Sequence, residues 1–345
     1  MRWDGQRVDT GDGSCSGPAT LFGSDVVVRT FDTPRFRGIT FYEVRARTVL
    51  NEVPKPSRVP FRWTINPYRG CSHACVYCFA RNTHTYLEFD SGADFDTQIV
   101  VKVNAAERLR HELAAPSWGG EHVAMGTNVD CYQRAEGRYR LMPGILAALR
   151  DAENPFSILT KGALVLRDLD LLRQAHAVTD VSVSVSIGLL DREVWRSVEP
   201  GTPSPARRLQ VVRELSDAGL RCGVLMAPIL PFLTDSPEQL DAAVAAIAAS
   251  GAESVTPLVL HLRPGAREWY QAWLRRHHPE LLEDYRALYG KGSYAQRSYQ
   301  TAIREYVEER AERHGLRRMG SGAARRVLDP PAVAAPPASQ QLTLL

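Results

Sequence analysis

Residues 66–81 read NPYRGCSHACVYCFAR, and this stretch holds three of the six cysteines in the chain, Cys71, Cys75 and Cys78. Six cysteines in 345 residues are too few for a disulfide scaffold. In a reducing compartment, clustered cysteines indicate metal binding or catalysis more often than disulfides. A β-rich run precedes the cluster, so the cysteines are expected at the C-terminal end of a strand, where parallel α/β folds place their chemistry.

The number of cysteines leaves two kinds of metal site open. A structural zinc site usually has four protein ligands, and His73 or His84 could supply the fourth. A cluster of four irons held by three thiolates would instead leave one iron free for a substrate or cofactor. The first alternative implies a structural role for the loop, and the second implies an active site.

Composition restricts the class of protein. The chain is 44% hydrophobic and 23% charged, the profile of a soluble globular protein, and a net charge of +3 gives no strong electrostatic argument for nucleic-acid binding. The N-terminal MRWDGQRVDT lacks the apolar run of a signal peptide, and no window reaches the roughly 20 apolar residues of a membrane span. We therefore expect a cytoplasmic protein with no membrane partner.

Apolar, β-rich runs alternate with helical patterns from residue 61 onward. The predicted strands lie within 61–68, 122–130, 156–162, 180–188, 221–229 and 254–262. Ser204 and Ser236 are predicted helix N-caps because each precedes a proline and an apolar helical pattern, and Gly219 and Gly251 are predicted to end these helices. A spacing of roughly 30 to 40 residues is typical of βαβ units. Since a full eightfold barrel needs about 250 residues, six strands predict a partial (β/α)6-type TIM barrel.

Changes in composition divide the chain into four parts. Residues 1–58 are predicted to be an N-terminal extension with a few strands, and residues 59–265 the α/β core. Residues 266–322 are predicted to form a C-terminal helical cap. The Pro/Ala-rich residues 323–345 are predicted to be a disordered tail.

The pattern C-x3-C-x-aromatic-C after a first strand resembles the signature of radical S-adenosylmethionine (SAM) enzymes. Five further motifs resemble, in the same order, the spore photoproduct lyase-like branch of that superfamily, also described as DNA repair photolyase-like. They are GTNVDCYQRAEGRY, SILTKGALVLRDLDLL, VSVSVSI, EPGTPSPARRLQVVREL and MAPILPFLTDS. Within this branch the chain looks most like an actinobacterial subgroup, and the resemblance covers residues 30–315.

The resemblance implies a partial barrel of the radical SAM type and a set of cofactors. Cys71, Cys75 and Cys78 would ligate a 4Fe–4S cluster whose fourth iron binds the amino and carboxylate groups of SAM. Tyr77 would lie against the adenine. One electron, from a donor such as ferredoxin or flavodoxin, would release a 5′-deoxyadenosyl radical that abstracts a substrate hydrogen.

Polar residues at later strand ends are the other candidate cofactor contacts. Thr127 and Asn128 could bind the methionine moiety, or they could form a turn. Lys161 could pair with the cofactor carboxylate, or it could be solvated at the rim. Ser184 and Ser186 alternate with valines, so they share one strand face, where they could contact the ribose or relieve crowding.

Cys131 is the candidate catalytic residue. In the lyase branch a cysteine near this strand end returns a hydrogen atom to the substrate radical, although Cys131 follows TNVD whereas the lyase cysteine precedes the equivalent run. The alternative is a small, buried side chain. His261 and Arg263 follow the last strand, where they could reach a substrate phosphate or carboxylate or form a salt-bridged rim. Cys222 is not predicted to be a ligand.

The C-terminal SQQLTLL resembles the short motif by which bacterial replication and repair proteins bind the sliding clamp, although a tail without a partner is the alternative. The leading functional prediction is a radical SAM enzyme that acts in DNA repair or nucleic-acid modification. Radical modification of RNA, a peptide or a small metabolite is the second enzyme class. A zinc-stabilised nucleic-acid-binding protein is the alternative from another class.

Overall fold

A computed structural model of the chain describes residues 26–54 and 59–318. Its strands are β1 (Val27–Thr30), β2 (Thr40–Val44), β3 (Leu50–Glu52), β4 (Trp63–Ile65), β5 (Tyr68–Arg69), β6 (Gln98–Lys102), β7 (Val123–Met125), β8 (Phe156–Thr160), β9 (Val181–Ser186), β10 (Arg221–Ile229), β11 (Ser254–Val259) and β12 (Arg317–Arg318). The predicted tail, 323–345, and its SQQLTLL motif lie outside the described residues.

The main sheet has the order β12-β11-β10-β9-β8-β7-β4-β3. Its six central strands are parallel and coincide with the six predicted strands. The order is linear with β3 and β12 at the edges, so the described residues form an open sheet and not a closed barrel. The predicted α/β class and the partial barrel are therefore confirmed.

Helices alternate with the strands along the chain. They are α1 (Ala93–Thr97), α2 (Ala105–Leu113), α3 (Glu136–Tyr139), α4 (Leu141–Asp151), α5 (Leu169–His176), α6 (Arg192–Val198), α7 (Pro205–Asp217), α8 (Pro237–Ala249), α9 (Ala266–His277), α10 (Leu282–Tyr289) and α11 (Arg297–Arg313). Short 3-10 helices span Phe79–Leu87, Ala163–Asp168 and Pro279–Leu281. No helix in the described part of the chain combines the length and apolar character needed to cross a membrane.

Two predicted helix caps are present. The Ser204 hydroxyl accepts a hydrogen bond from the Arg207 N–H at 3.2 Å at the start of α7. Ser236 does the same for Gln239 at 3.3 Å at the start of α8, where the Gln239 side chain completes a capping box. These two N-caps fix the residues at which a loop ends and the following helix begins.

The alternating sequence of β9 separates two environments. Val181, Val183 and Val185 are buried in the main core under the helices. Ser182 and Ser184 face the inside of the sheet, where small side chains leave a cavity of about 460 Å³ that extends to the start of the strands. The inner face therefore encloses open space, unlike the packed interior of a full TIM barrel.

The N-terminal extension is integrated with the core. Strand β2 pairs in parallel with β6, a strand that the sequence did not predict, and the side sheet has the order β1-β2-β6-β5. Strand β3 pairs with β4 in the main sheet. The predicted boundary at residue 58 therefore falls between two hydrogen-bonded strands. At the other end, α11 packs against β11 and α8, and β12 extends the main sheet.

Strand β6 carries a buried lysine that should make stability depend on pH. Burial, reinforced by the nearby Arg69 charge, lowers the pKa of Lys102 to about 7. Because an unfolded lysine has a pKa of about 10.4, the unfolded state binds more protons between these values, and stability should rise with pH across that window. Lys102→Met should stabilise the protein at pH 7 by an amount on the order of 2 kcal/mol and remove this rise.

Thermal unfolding of the wild type and of Lys102→Met between neutral and alkaline pH checks this expectation. The exposed Lys291 provides the matched control, and Lys291→Met should leave the pH dependence unchanged. Parallel stability curves for the wild type and Lys102→Met would contradict the expected role of Lys102.

Candidate active site

The three clustered cysteines line one cavity at the C-terminal end of the parallel strands. Gly70, at φ +75°, begins the loop, and a Cβ there would lie 2.8 Å from the Gln98 carbonyl oxygen, so the sharp entry requires glycine. The cavity has a volume of about 180 Å³. The predicted site residues around it are Cys71, Cys75, Tyr77, Cys78, Thr127, Asn128, Lys161 and Ser186.

Two predicted site residues lie elsewhere. Ser184 lines the deeper cavity on the inner face of the sheet, beyond Thr127, which borders both cavities. Cys131 is completely buried in the main core beside Tyr132 and does not line the cavity with the clustered cysteines. The turn after β7 thus directs Thr127 and Asn128 toward the cavity and places Cys131 in the core.

The thiols form a donor set that suits a cluster. Burial, and then the neighbouring Cys71, raise the pKa of the Cys78 thiol to about 11, so binding of a metal would have to displace the thiol proton. Within residues 26–54 and 59–318, no three His, Cys, Asp or Glu side chains converge closely enough to hold one metal ion. Three thiols on the walls of one cavity fit a multi-iron cluster, in which each thiolate binds a different iron.

Asp130 connects the cysteine loop to the ends of β7 and β8. Its buried carboxylate accepts hydrogen bonds from the Thr160 hydroxyl and the Lys161 backbone N–H, both at 2.6 Å. It also pairs with His73 Nδ1 at 3.3 Å. Burial alone would raise the pKa of Asp130, but His73 and these hydrogen bonds outweigh burial and hold that pKa at about 2.

The two histidines that could complete a zinc site have other partners. His73 pairs with Asp130 inside the loop. His84 Nε2 lies 2.9 Å from the Gln98 carbonyl oxygen, and its ring packs against Phe89 and Phe95. His84 lies outside the cavity of the clustered cysteines, whereas His73 lines it. The zinc alternative is weakened because, among the described residues, no three His, Cys, Asp or Glu side chains could hold one metal ion.

The segment 198–202 contacts the other side of the cysteine loop. The Val76 N–H donates to the Val198 carbonyl, and the Gly201 N–H donates to the His73 carbonyl, both at 3.0 Å. A Cβ at Gly201 would lie 2.2 Å from the Ser72 carbonyl oxygen. Two backbones therefore approach so closely that only glycine fits at this position.

A fully buried ion pair underlies this contact. Glu199 and Arg208 have no exposed side-chain surface and pair with each other, and the Tyr77 hydroxyl donates to the same carboxylate. Arg208 Nη1 also donates to the Ser186 carbonyl at 2.8 Å. Burial would raise the pKa of Glu199, but Arg208 and Lys161 outweigh burial and lower it. The network fixes the Tyr77 side chain relative to the end of β9.

Lys161 brings a positive charge to the cavity wall. Its Nζ donates to Ser186 Oγ at 2.5 Å and lies 5.8 Å from the centre of the Tyr77 ring. Lys161, Ser186 and Tyr77 therefore share one wall of the cavity. Asp130 is the only acidic side chain among the described residues that line this cavity. An anionic group of a ligand could pair with the Lys161 ammonium here.

A second buried arginine, Arg81, holds the cysteine loop through its backbone. Arg81 Nη2 donates to the Cys75 carbonyl and Arg81 Nη1 to the Gly92 carbonyl, at 2.9 and 2.7 Å, and Asp96 neutralises the guanidinium. The guanidinium carbon lies 4.9 Å from the centre of the Trp269 ring on α9. Arg81, Glu199 and Arg208 are not among the site residues predicted from the sequence, although Glu199 and Arg208 lie inside the motif EPGTPSPARRLQVVREL.

Comparison with known proteins identifies this architecture. The Radical SAM superfamily profile matches residues 65–243, which is more than half of the chain. The chain therefore belongs to the radical SAM superfamily and is a radical SAM enzyme.

The chain is also similar in sequence to two curated proteins. The uncharacterized protein Rv2578c of Mycobacterium tuberculosis is 52% identical over 312 residues, which cover 89% of this chain and 91% of that protein. The uncharacterized protein ORF301 of Acidianus two-tailed virus is 30% identical over 268 residues, covering 71% of this chain and 87% of that protein.

Spore photoproduct lyase complexed with dinucleoside spore photoproduct has the same fold, with a TM-score of 0.61 and 17% identity over 84% of this chain and 85% of that chain. A variant of that lyase with bound AdoMet and dinucleoside spore photoproduct also gives a TM-score of 0.61, at 18% identity and the same coverage. The predicted resemblance to this branch of the superfamily is confirmed at the level of fold.

Proposed function

We propose that this radical SAM enzyme holds a 4Fe–4S cluster through Cys71, Cys75 and Cys78, binds SAM beside it, and acts on a nucleic-acid substrate. The observation that carries the proposal is the convergence of three thiols, one ammonium group and one aromatic ring on a single cavity at the strand ends. When bound, the cluster supplies the electron that cleaves SAM to a 5′-deoxyadenosyl radical.

The protein's own residues would bind and orient SAM. Lys161 offers a cation for the carboxylate, and its contact with Ser186 holds the ammonium in place. Thr127 and Asn128 offer short polar side chains from the turn after β7. Tyr77, fixed by Glu199, offers a ring face for the adenine. The cofactor carries the chemistry while the protein supplies orientation and electrostatics.

The nucleic-acid substrate is proposed by similarity. The related lyase structures contain a dinucleoside spore photoproduct, which supports a role in DNA repair or modification. The C-terminal SQQLTLL supports docking to a sliding clamp through its sequence alone. We also propose ferredoxin or flavodoxin as electron donor in a cytoplasmic setting, and residues 59–265 as the catalytic core between the N-terminal extension and the helices of 266–322.

Anaerobic reconstitution with iron and sulfide tests the cofactor assignment. The wild type should bind iron and sulfide in equal amounts, absorb visible light, bleach with dithionite and cleave SAM to 5′-deoxyadenosine. Cys71→Ser should lose the iron, the absorbance and the cleavage. Cys222, buried in the core away from the cavity, is the matched control, and Cys222→Ser should keep all three.

A colourless wild-type protein that carries one zinc ion per chain would overturn the proposal. Full cluster content in Cys71→Ser would exclude the assigned ligand set.

A further inference from the structure

The mouth of the cofactor cavity carries exposed apolar side chains. Phe79, which follows the last clustered cysteine, is 44% exposed, and Leu258 near the end of β11 is 40% exposed. Both line the cavity, together with His261. Tyr294, 49% exposed, packs edge-on against His261 with a ring separation of 4.5 Å. Exposed apolar side chains beside a cavity mark a binding surface more often than isolated ones do.

Arg263 adds a positive charge to this surface. Its guanidinium carbon lies 5.4 Å from the centre of the Phe79 ring. Among the residues that the structure describes, no carboxylate forms an ion pair with Arg263, in contrast to Arg81 and Arg208. An exposed arginine stacked on an exposed ring can bind an anion without first breaking an internal ion pair. We call Phe79, Leu258, His261, Arg263 and Tyr294 the rim.

The loop that carries Tyr294 is fastened to the sheet. The Leu262 N–H donates to the Ser293 carbonyl at 2.8 Å, and His261 and Tyr294 form an isolated β-bridge. The Tyr289 hydroxyl donates to the Leu260 carbonyl at 2.8 Å. Tyr294 is therefore held in position before any ligand arrives, which lowers the entropic cost of binding.

We propose that the rim binds one unpaired or extruded nucleotide of the nucleic-acid substrate, with the base against Phe79 or Tyr294 and a backbone phosphate on Arg263. This proposal rests on the proposed function and names how its substrate is recognised. Stacking on aromatic rings and contact with arginine are how proteins bind single strands without sequence readout. In a paired duplex both faces of a base are covered, so the base must leave the stack to reach these rings.

The position of the rim explains why this nucleotide would be the one that reacts. Phe79, Leu258 and His261 border the same cavity as the three clustered cysteines. A base stacked at the rim would therefore lie next to the bound SAM. The net charge of +3 is no obstacle, because the arrangement uses one positioned arginine and two rings instead of a broadly basic surface.

Fluorescence anisotropy with labelled oligothymidylate, using the reconstituted enzyme with SAM, tests the proposal. The wild type should bind the single strand more tightly than the same sequence in a duplex. At least one of Phe79→Ala and Tyr294→Ala should weaken binding by roughly 5- to 100-fold, the effect of losing one base–aromatic stack. Tyr86→Ala is the matched control, because this exposed tyrosine shares the 3-10 helix of Phe79 and does not line the cavity.

Arg263→Gln gives an independent readout. Loss of one phosphate contact should reduce the slope of log affinity against log salt by about 0.7 for a single strand, whereas a merely structural role would leave the slope unchanged. Because Phe79 lines the cavity and adjoins Cys78, iron content and substrate-free SAM cleavage are measured for every variant, and DNA binding is compared at equal cluster content. Both quantities should match the wild type in Tyr294→Ala and Arg263→Gln, whose side chains do not line the cavity.

Each outcome has a distinct meaning. Absence of SAM cleavage in the wild type would overturn the proposed function. Normal SAM cleavage with all three rim variants binding DNA as tightly as Tyr86→Ala would overturn the rim proposal alone. Equal affinity for duplex and single strand, or displacement of the oligonucleotide by an acidic aromatic peptide at lower concentration than by unlabelled oligothymidylate, would also contradict it.

Discussion

Arg208→Met should lower the free energy of unfolding by about 3 to 5 kcal/mol, the cost of leaving the other member of a buried ion pair unpaired. Glu199 and Arg208 are both fully buried, so no water can replace the lost guanidinium. The Ser186 carbonyl also loses the hydrogen bond that Arg208 Nη1 donates at 2.8 Å. Denaturant unfolding of the reconstituted enzyme, followed by circular dichroism, measures the change.

The same helix provides the matched control. Arg207 pairs with Glu214 at 3.0 Å, but both side chains are 40% exposed. Arg207→Met should therefore cost about 0 to 1 kcal/mol, as exposed ion pairs do. The double variant Glu199→Leu with Arg208→Met should recover part of the loss, because no buried charge remains. Equal losses in Arg207→Met and Arg208→Met would show that burial of the pair has no energetic consequence.

Gly201→Ala should displace the cysteine loop. The added Cβ would lie 2.2 Å from the Ser72 carbonyl oxygen and 2.8 Å from the His73 backbone, and no side-chain rotation relieves a clash with backbone. Overpacking usually costs about 1 to 3 kcal/mol, and this variant also strains the Gly201–His73 hydrogen bond, so a loss at or above the upper end is expected. The reconstituted variant should retain less iron after gel filtration than the wild type.

Gly137→Ala is the control for the glycine substitution. Its Cβ would meet only Leu164 Cδ1 at 3.6 Å, an ordinary contact. It lies in α3, where alanine is a better helix former than glycine. This variant should keep its iron and its stability. If Gly201→Ala retained iron as well as Gly137→Ala does, the close approach of the two backbones would not be needed to hold the loop.

The elements that the sequence predicted correctly have strong local signals. The apolar runs that form the strands each consist of a few consecutive residues. The Ser-Pro pairs that begin α7 and α8 are equally local, and the structure places these elements as expected. Strand β6 was missed because it depends on pairing with β2, and the predicted strand within 61–68 is divided in the structure into β4 and the two-residue β5. Strands β5 and β6 form through contacts between distant parts of the chain, which a short stretch of sequence does not show.

The same distinction applies to the candidate site. The cysteine spacing is local, and it pointed to the cavity that the structure contains. The partner of Tyr77 could not be found this way, because Glu199 is 122 residues away. Cys131 shows the other limit. Its position after β7 is local information, but whether its thiol faces the cavity or the core depends on the turn at Gly126, where φ is +76° and a Cβ would lie 1.8 Å from the Leu159 carbonyl oxygen.

The contact between Arg81 and Trp269 has a consequence for the order of biosynthesis. Arg81 holds the Cys75 carbonyl, and the Trp269 ring on α9 covers the Arg81 guanidinium. Residue 269 is synthesised 188 positions after residue 81, so the nascent loop lacks this cover while most of the core is still being translated. A cluster held by the loop would therefore be delivered late in translation or after release from the ribosome.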